Sequence, residues 1–247
     1  MDDVVVKRGH GPNAIAAEVA GLRWLAEPGV VRIPTVRRYD EDSMVIDRVG
    51  TGQPSAGVAE QLGRGLAALH AAGAPAFGSP PPDGPAEAWI GRAPMTNATG
   101  DDWPSWYAEH RVLPYVRQAV DNGALDAGEA VIFERACTRI PDVTEPPARL
   151  HGDLWNGNVL WDPRDAWLID PAAHGGHRET DLAMLRLFGL PHLDRLLGAY
   201  QEVSPLADGW TERIGLHQLF PLLVHTVLFG RGYAAQAIAA ARTTGRS

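Results

Sequence analysis

The chain has 247 residues, enough for one large domain or two closely packed lobes. It is 45% hydrophobic and 21% charged, with no low-complexity tract and no apolar run of 18 residues, which describes a soluble protein and argues against a membrane span. The net charge of −8 argues against a nucleic-acid partner, Cys137 alone rules out an internal disulfide, and the acidic start Met1-Asp2-Asp3 has no signal-peptide character, so the cytoplasm is expected.

Residues 4–7, Val-Val-Val-Lys, read as a short buried strand. Of the 22 basic residues 21 are arginine, and Lys7 is the sole lysine. A site that needs a compact point charge would retain it, because a guanidinium is bulkier and forked; chance survival is the alternative. Gly9-His10-Gly11-Pro12 breaks the strand and Asn13 is a candidate helix N-cap. Ile15, Val19, Leu22 and Ala26 then recur at helical spacing, with Glu18 on the flank of the stripe. An acid beside a buried face is costly unless paired, and Lys7 is its natural partner, ahead of Arg8 or Arg23.

Two further strands are expected at 36–39 and 44–49, joined by a polar turn. The glycine-bearing stretch 50–55 marks a lobe boundary, dividing 1–50 from 51–247. A helix follows over 58–70, then a Pro- and Gly-rich loop over 73–87, helices over 103–119 and 125–140, and a Pro-rich turn at 141–147. Residues 151–158 form a loop, 159–161 and 167–169 a small hairpin, and everything after about Glu179 is helical. Strands first and helices later, with one embedded hairpin, predict an α+β, two-lobed protein.

The chemistry is concentrated in His151-Gly152-Asp153-Leu154-Trp155-Asn156-Gly157-Asn158 and in Ile169-Asp170-Pro171. Protein kinases place a catalytic aspartate five residues before a metal-binding asparagine, and a second metal-binding aspartate just after a hairpin. Asp153, Asn158 and Asp170 reproduce that spacing. One carboxylate can orient a hydroxyl and accept its proton, while an amide and a carboxylate suit hard Mg²⁺ beside phosphates. Any one of these residues alone would read as a turn or cap; the joint pattern does not. In the same scheme a strand lysine holds the α/β-phosphates and pairs with a glutamate on the next helix, the places taken by Lys7 and Glu18. His151, His174 and His177 lack zinc spacing, and there is no Walker A sequence.

The stretch Leu150 to Asn158, with Ile169-Asp170-Pro171-Ala172 and Gly176-His177-Arg178-Glu179-Thr180-Asp181-Leu182-Ala183-Met184, resembles the fructosamine/ketosamine 3-kinases, a protein-kinase-like family related to aminoglycoside phosphotransferases. Leu187-Phe188-Gly189, Phe229-Gly230-Arg231-Gly232-Tyr233, Trp89-Ile90-Gly91 and Asn97 extend the likeness over nearly the whole chain. The resemblance implies ATP- and Mg²⁺-dependent phosphorylation of the sugar 3-hydroxyl of ketosamines, on small molecules or glycated proteins, which destabilises the adduct and releases the amine. It makes Asp153 the base, Asn158 and Asp170 the metal ligands, and Lys7 the phosphate contact oriented by Glu18. Asp47 and Val49 fall at the adenine-binding hinge, Asn97, Trp155 and His174 at the sugar-amine pocket, and Asp181, with Arg178 and Glu179, as braces of the catalytic loop. Trp24, Trp103, Trp106 and Trp210 are expected to pack, Cys137 to lie in the core, and His217 and His225 to be packed or at the surface.

One departure stands out. A kinase-like fold opens with two strands and a glycine-rich loop before the lysine strand, yet six residues precede Lys7, and Gly9 and Gly11 follow it. The N-terminal lobe therefore reads as truncated, the chain either starting late or lacking the lid, with an exposed edge at 4–6 and a weakened nucleotide hold. The rival readings are an aminoglycoside- or choline-type phosphotransferase and an inactive pseudokinase-like binding protein.

Overall fold

The structure, a computed structural model, describes residues 3–142 and 145–245. The turn expected at 141–147 includes residues 143 and 144, which lie outside the described residues.

Strand β1 (Val4–Arg8) leads through a tight loop into helix α1 (Ala14–Ala26), followed by β2 (Val36–Tyr39) and β3 (Ser43–Asp47). The strands form an antiparallel sheet in the order β1-β3-β2, with Lys7 opposite Met44 and Val5 opposite Ile46. Among the described residues β1 is the sheet's edge, and Val6 on it is 60% exposed. Alternation along β1 puts Val5 and Lys7 on the inner face, toward α1. Helix α1 buries Ile15, Val19, Leu22, Trp24 and Leu25. Asn13 precedes it as expected but does not cap it: its backbone is left-handed (φ 60°) and its side chain makes no capping bond. The chain must reverse sharply between strand and helix there, and asparagine tolerates that conformation better than most residues.

An extended connection over 50–55 runs beside the later hairpin, Gly52 donating its N–H to Trp161 O at 2.5 Å, and enters α2 (Ala56–Ala71), capped by Ser55. Next comes a hairpin that begins in the stretch whose Pro- and Gly-rich pattern predicts a loop: β4 (Glu87–Ile90) and β5 (Ala93–Thr96). Prolines at 85 and 94 and a four-residue ladder gave it no strand signature. The single helix expected over 103–119 is three pieces: α3 (Trp103–Tyr107), a wide π turn (Ala108–Val112) and α4 (Leu113–Asp121). Helix α5 (Ala127–Cys137) closes this part with a capping box between Asp126 and Glu129.

Two short ladders frame the centre. β6 (Ala148–Leu150) pairs antiparallel with β9 (His174–Gly176), and between them β7 (Val159–Trp161) pairs with β8 (Ala166–Leu168). Helices α6 (Glu179–Leu187), α7 (Leu193–Val203), α8 (Trp210–His217), α9 (Leu219–Phe229) and α10 (Ala234–Thr243) complete the chain. One apolar cluster joins α1 and β3 to α2, the β7–β8 hairpin and α7. A second joins β4–β5 to α3–α5 and α8–α10. Trp24 lies in the first cluster, Trp103 and Trp106 in the second, as expected of packing residues. No helix among the described residues is long and apolar enough to cross a membrane.

Candidate active site

The loop after β6 turns on Gly152, whose φ of +80° and contact with Ala172 admit no side chain: a Cβ there would collide with the Ala172 carbonyl oxygen. His151, fully buried, donates Nε2–H to Ile169 O at 2.9 Å and accepts the Asp153 N–H on Nδ1 at 3.3 Å. Burial pulls its pKa down, which favours this neutral tautomer. Asp181, in the first turn of α6, holds the same loop from behind. Its two oxygens accept the N–H groups of His151 (2.8 Å) and Gly152 (3.0 Å). His70 Nε2, 3.2 Å away, adds a third bond, and the Tyr200 hydroxyl 2.9 Å from His70 Nδ1 fixes that ring in turn. Burial works to raise the Asp181 pKa, but the His70 bond and charge and the His151 N–H bond outweigh it, so the carboxyl lies below its ordinary range.

Asp153 is thereby presented in a cavity of about 360 Å³ that Lys7, Glu18, Asn158 and Asp170 also line. Asn158 Nδ2 donates to the Asp153 carboxylate at 3.0 Å and carbonyl at 2.8 Å, and lies 3.4 Å from the Asp170 carbonyl. Its amide nitrogen thus committed, Asn158 has Oδ1 left to offer a ligand. Desolvation pushes the Asp153 pKa from 3.8 up to about 7, the nearby charges of Asp170 and Asp181 adding to it against the Asn158 bond. Asp170, in left-handed backbone (φ 54°), turns its half-exposed carboxylate toward Lys7, whose Nζ lies 2.8 Å from Oδ1. Lys7 also contacts Glu18 directly. Burial disfavours the ammonium, but two adjacent carboxylates override it and hold the Lys7 pKa above its ordinary value.

Another wall of the cavity comes from β4–β5 and the loop after it, with Trp155 added from the loop after β6. Trp89, Asn97 and the 38%-exposed Trp155 line it. Asn97 is buried, its Oδ1 accepting from Arg111 Nη2 at 3.0 Å, while its Nδ2 has no partner among the described residues. Arg111 is 1% exposed and sits on the π turn, which brings its guanidinium inward to Thr96 O and onto the Trp106 ring. Nothing in the sequence marked Arg111 or His70 for these roles; neither falls in a motif.

Three expected site residues lie elsewhere. His174 is 2% exposed inside β9, bonded to Ala172 O at 2.8 Å and away from the cavity wall, because the β6–β9 ladder turns it into the core. Burial and the Arg111 charge push its pKa down to about 3. Asp47 and Val49 do not line the cavity. Asp47 spends its N–H on Thr35 O (3.0 Å) and its carboxylate on Arg37 (2.5 Å).

His177, Glu179 and His217 form a buried group compact enough to hold a cation. Arg213, however, bonds both Glu179 oxygens, and the Thr180 hydroxyl engages His217 Nδ1. The Glu179 carboxylate is thus neutralised by a guanidinium, while His177 Nε2 and His217 Nε2 are buried without a hydrogen-bond partner among the described residues. Together with the bidentate Arg178–Glu145 pair (2.7 Å each), the group anchors the start of α6 and hence Asp181.

The sequence model of the fructosamine kinases matches residues 4–244. The chain belongs to the fructosamine kinase family. A Thermobifida fusca crystal structure provisionally named fructosamine-3-kinase is 46% identical and superposes with a TM-score of 0.93 over 99% of this chain and 86% of its own. The chloroplastic protein-ribulosamine 3-kinase of Arabidopsis thaliana is 30% identical over 95% of this chain and 73% of its own. A choline/ethanolamine kinase family protein from Mesorhizobium loti, 17% identical, matches with a TM-score of 0.61 over 100% of this chain and 83% of its own, which shows the shared fold. As a fructosamine kinase, the chain has the kinase-like α+β architecture and is a phosphotransferase with an alcohol acceptor.

Proposed function

We propose that this fructosamine kinase transfers the γ-phosphoryl group of ATP to the 3-hydroxyl of ketosamine sugars. The observation that carries the reading is the Asp153 carboxylate, held by Asn158 in the same cavity as the Lys7–Asp170 pair. Asp153 accepts the hydroxyl proton as the oxygen attacks phosphorus, and Asn158 keeps the carboxylate aimed. Lys7 holds the α/β-phosphates while Glu18 retains contact with its ammonium. The segment before the 50–55 connection serves the nucleotide; the rest of the chain holds the catalytic loop and acceptor pocket.

The oxygen-only donors Asn158 Oδ1 and Asp170 fit Mg²⁺, since the Asn158 amide nitrogen is already spent and the Asp170 carboxylate is partly open. When bound, Mg²⁺ would neutralise charge on the transferring phosphates. Asn97 Nδ2 supplies a donor for a sugar oxygen, and Trp155 packs on the sugar-amine. The naming of the Arabidopsis relative for ribulosamine supports a ketosamine acceptor.

The deciding experiment is Mg·ATP-dependent transfer to ribulose-lysine and fructose-lysine by the wild-type chain and by Asp153→Asn. Phosphorylated ketosamine from the wild type alone is expected. Folded wild-type protein that phosphorylates choline or an aminoglycoside but neither ketosamine would overturn the assignment.

A further inference from the structure

The loop between Lys7 and Glu18 is clamped by the β4–β5 hairpin. Trp89 Nε1 donates to Pro12 O at 2.9 Å, and its ring lies so close over Gly11 that a Cβ there would enter it. His10 meets the same indole edge-on at 5.0 Å. Arg8 and His10 line the catalytic cavity, and an adjoining hollow is lined by Gly9, His10, Trp89 and Arg92. No acid lines that hollow, and neither Arg8 nor Arg92 forms an ion pair among the described residues.

Lys7, the neighbouring cation on the cavity wall, by contrast touches two carboxylates. Trp89 lines both the cavity that holds Asp153 and the adjoining hollow, so an acceptor with its sugar at Asp153 that extends along the indole has Arg8 on the cavity wall and Arg92 in the hollow. We propose that Arg8 and Arg92, set around the indole of Trp89, form a subsite for a carboxylate on the amine portion of the acceptor, so that the enzyme favours free glycated amino acids over neutral glycated amines. The inference rests on the ketosamine reading and deepens it. The chemistry is that of a charge-assisted bond at a partly exposed rim: specific, modest in strength and weakened by salt.

The test compares ε-fructose-lysine with its carboxamide, which differ only in that charge, for the wild type, Arg92→Gln and Arg92→Glu. For the wild type kcat/KM is expected to favour the carboxylate about fivefold, the preference shrinking in 0.5 M NaCl. Arg92→Gln should bring the ratio near one, and Arg92→Glu should invert it. A ratio compares two substrates on one enzyme, so a partly misfolded variant lowers both terms and leaves it intact. An unchanged ratio with a raised KM for ATP would assign the arginines to the nucleotide and overturn the proposal. Transfer to neither compound by folded wild-type enzyme would overturn the ketosamine function and the subsite with it, whereas transfer to both at equal efficiency would overturn the subsite alone.

Discussion

Asn158 gives its side-chain amide to both the carboxylate and the carbonyl oxygen of Asp153, at 3.0 and 2.8 Å. In the proposed mechanism the residue that would present an oxygen to a cation thus also fixes the base, so aim and charge neutralisation would depend on one side chain. With the Asp153 pKa pushed up to about 7, kcat/KM should rise with pH through the neutral range and level off above pH 8. Asp153→Asn should lower kcat about 10²- to 10⁴-fold and abolish that limb. A pH–rate profile of both proteins checks this; a wild-type limb centred near pH 4 would refute it.

The same raised pKa has a thermodynamic consequence. The native state binds a proton between about pH 4 and 7 that the unfolded chain releases, so this group's favourable contribution is present at low pH and is lost as pH rises through 7. Asp153→Asn removes the ionisation and should unfold at higher temperature than the wild type at pH 8. A gain of about 1–2 kcal/mol would be several degrees in a chain of this size. The difference should fade at pH 5, and calorimetry at the two pH values measures it.

Lys7→Arg conserves charge and is nevertheless expected to fail. The ammonium fits between Glu18 and Asp170, where a planar fork is too large. A loss of about 10- to 100-fold in kcat/KM for ATP is expected, the size of one or two charged hydrogen bonds. Steady-state kinetics with ATP varied would show it, and near-wild-type values would remove Lys7 from the phosphate site.

Asp181→Ala should unfold more readily although the residue touches no substrate. It leaves the His151 and Gly152 N–H groups and the His70 ring without their acceptor, at about 1–3 kcal/mol each. Because the native Asp181 pKa lies below 3.8, its contribution to stability is complete above about pH 4 and is lost as pH falls through the native value. Denaturant melts stepped down from pH 7 should show the gap between wild type and variant narrowing once the pH falls through the native Asp181 value.

Gly152→Ala combines a positive φ with a collision against the Ala172 carbonyl, and a cost of about 2–4 kcal/mol is expected. Thermal melting and activity should fall together. Retention of both would mean that the loop can shift by the width of a methyl group.

The motif residues were legible because their chemistry fixes both type and spacing: Asp153, Asn158 and Asp170 meet in one cavity, and the lone lysine finds Glu18 across a strand-to-helix turn. What stayed hidden depended on pairing partners far apart in sequence. β4–β5 is too short and proline-bearing to announce itself, so the hairpin carrying Trp89 was missed. β6 and β9 are three residues each, and only their pairing reveals that His174 points into the core. Arg111 reads as one more helix arginine until a π turn rotates it onto Asn97.

The β6–β9 ladder returns the chain at His174 to the place it left at Leu150. The segment from residue 151 to 173, which carries Asp153, Asn158 and Asp170, is therefore a stapled cassette, with Asp181 as its bolt from outside. Loosening either end shifts Asp153, Asn158 and Asp170 together, so damage here should switch activity off in one step, whereas the walls of the acceptor pocket, built on separate elements, are free to vary by degrees.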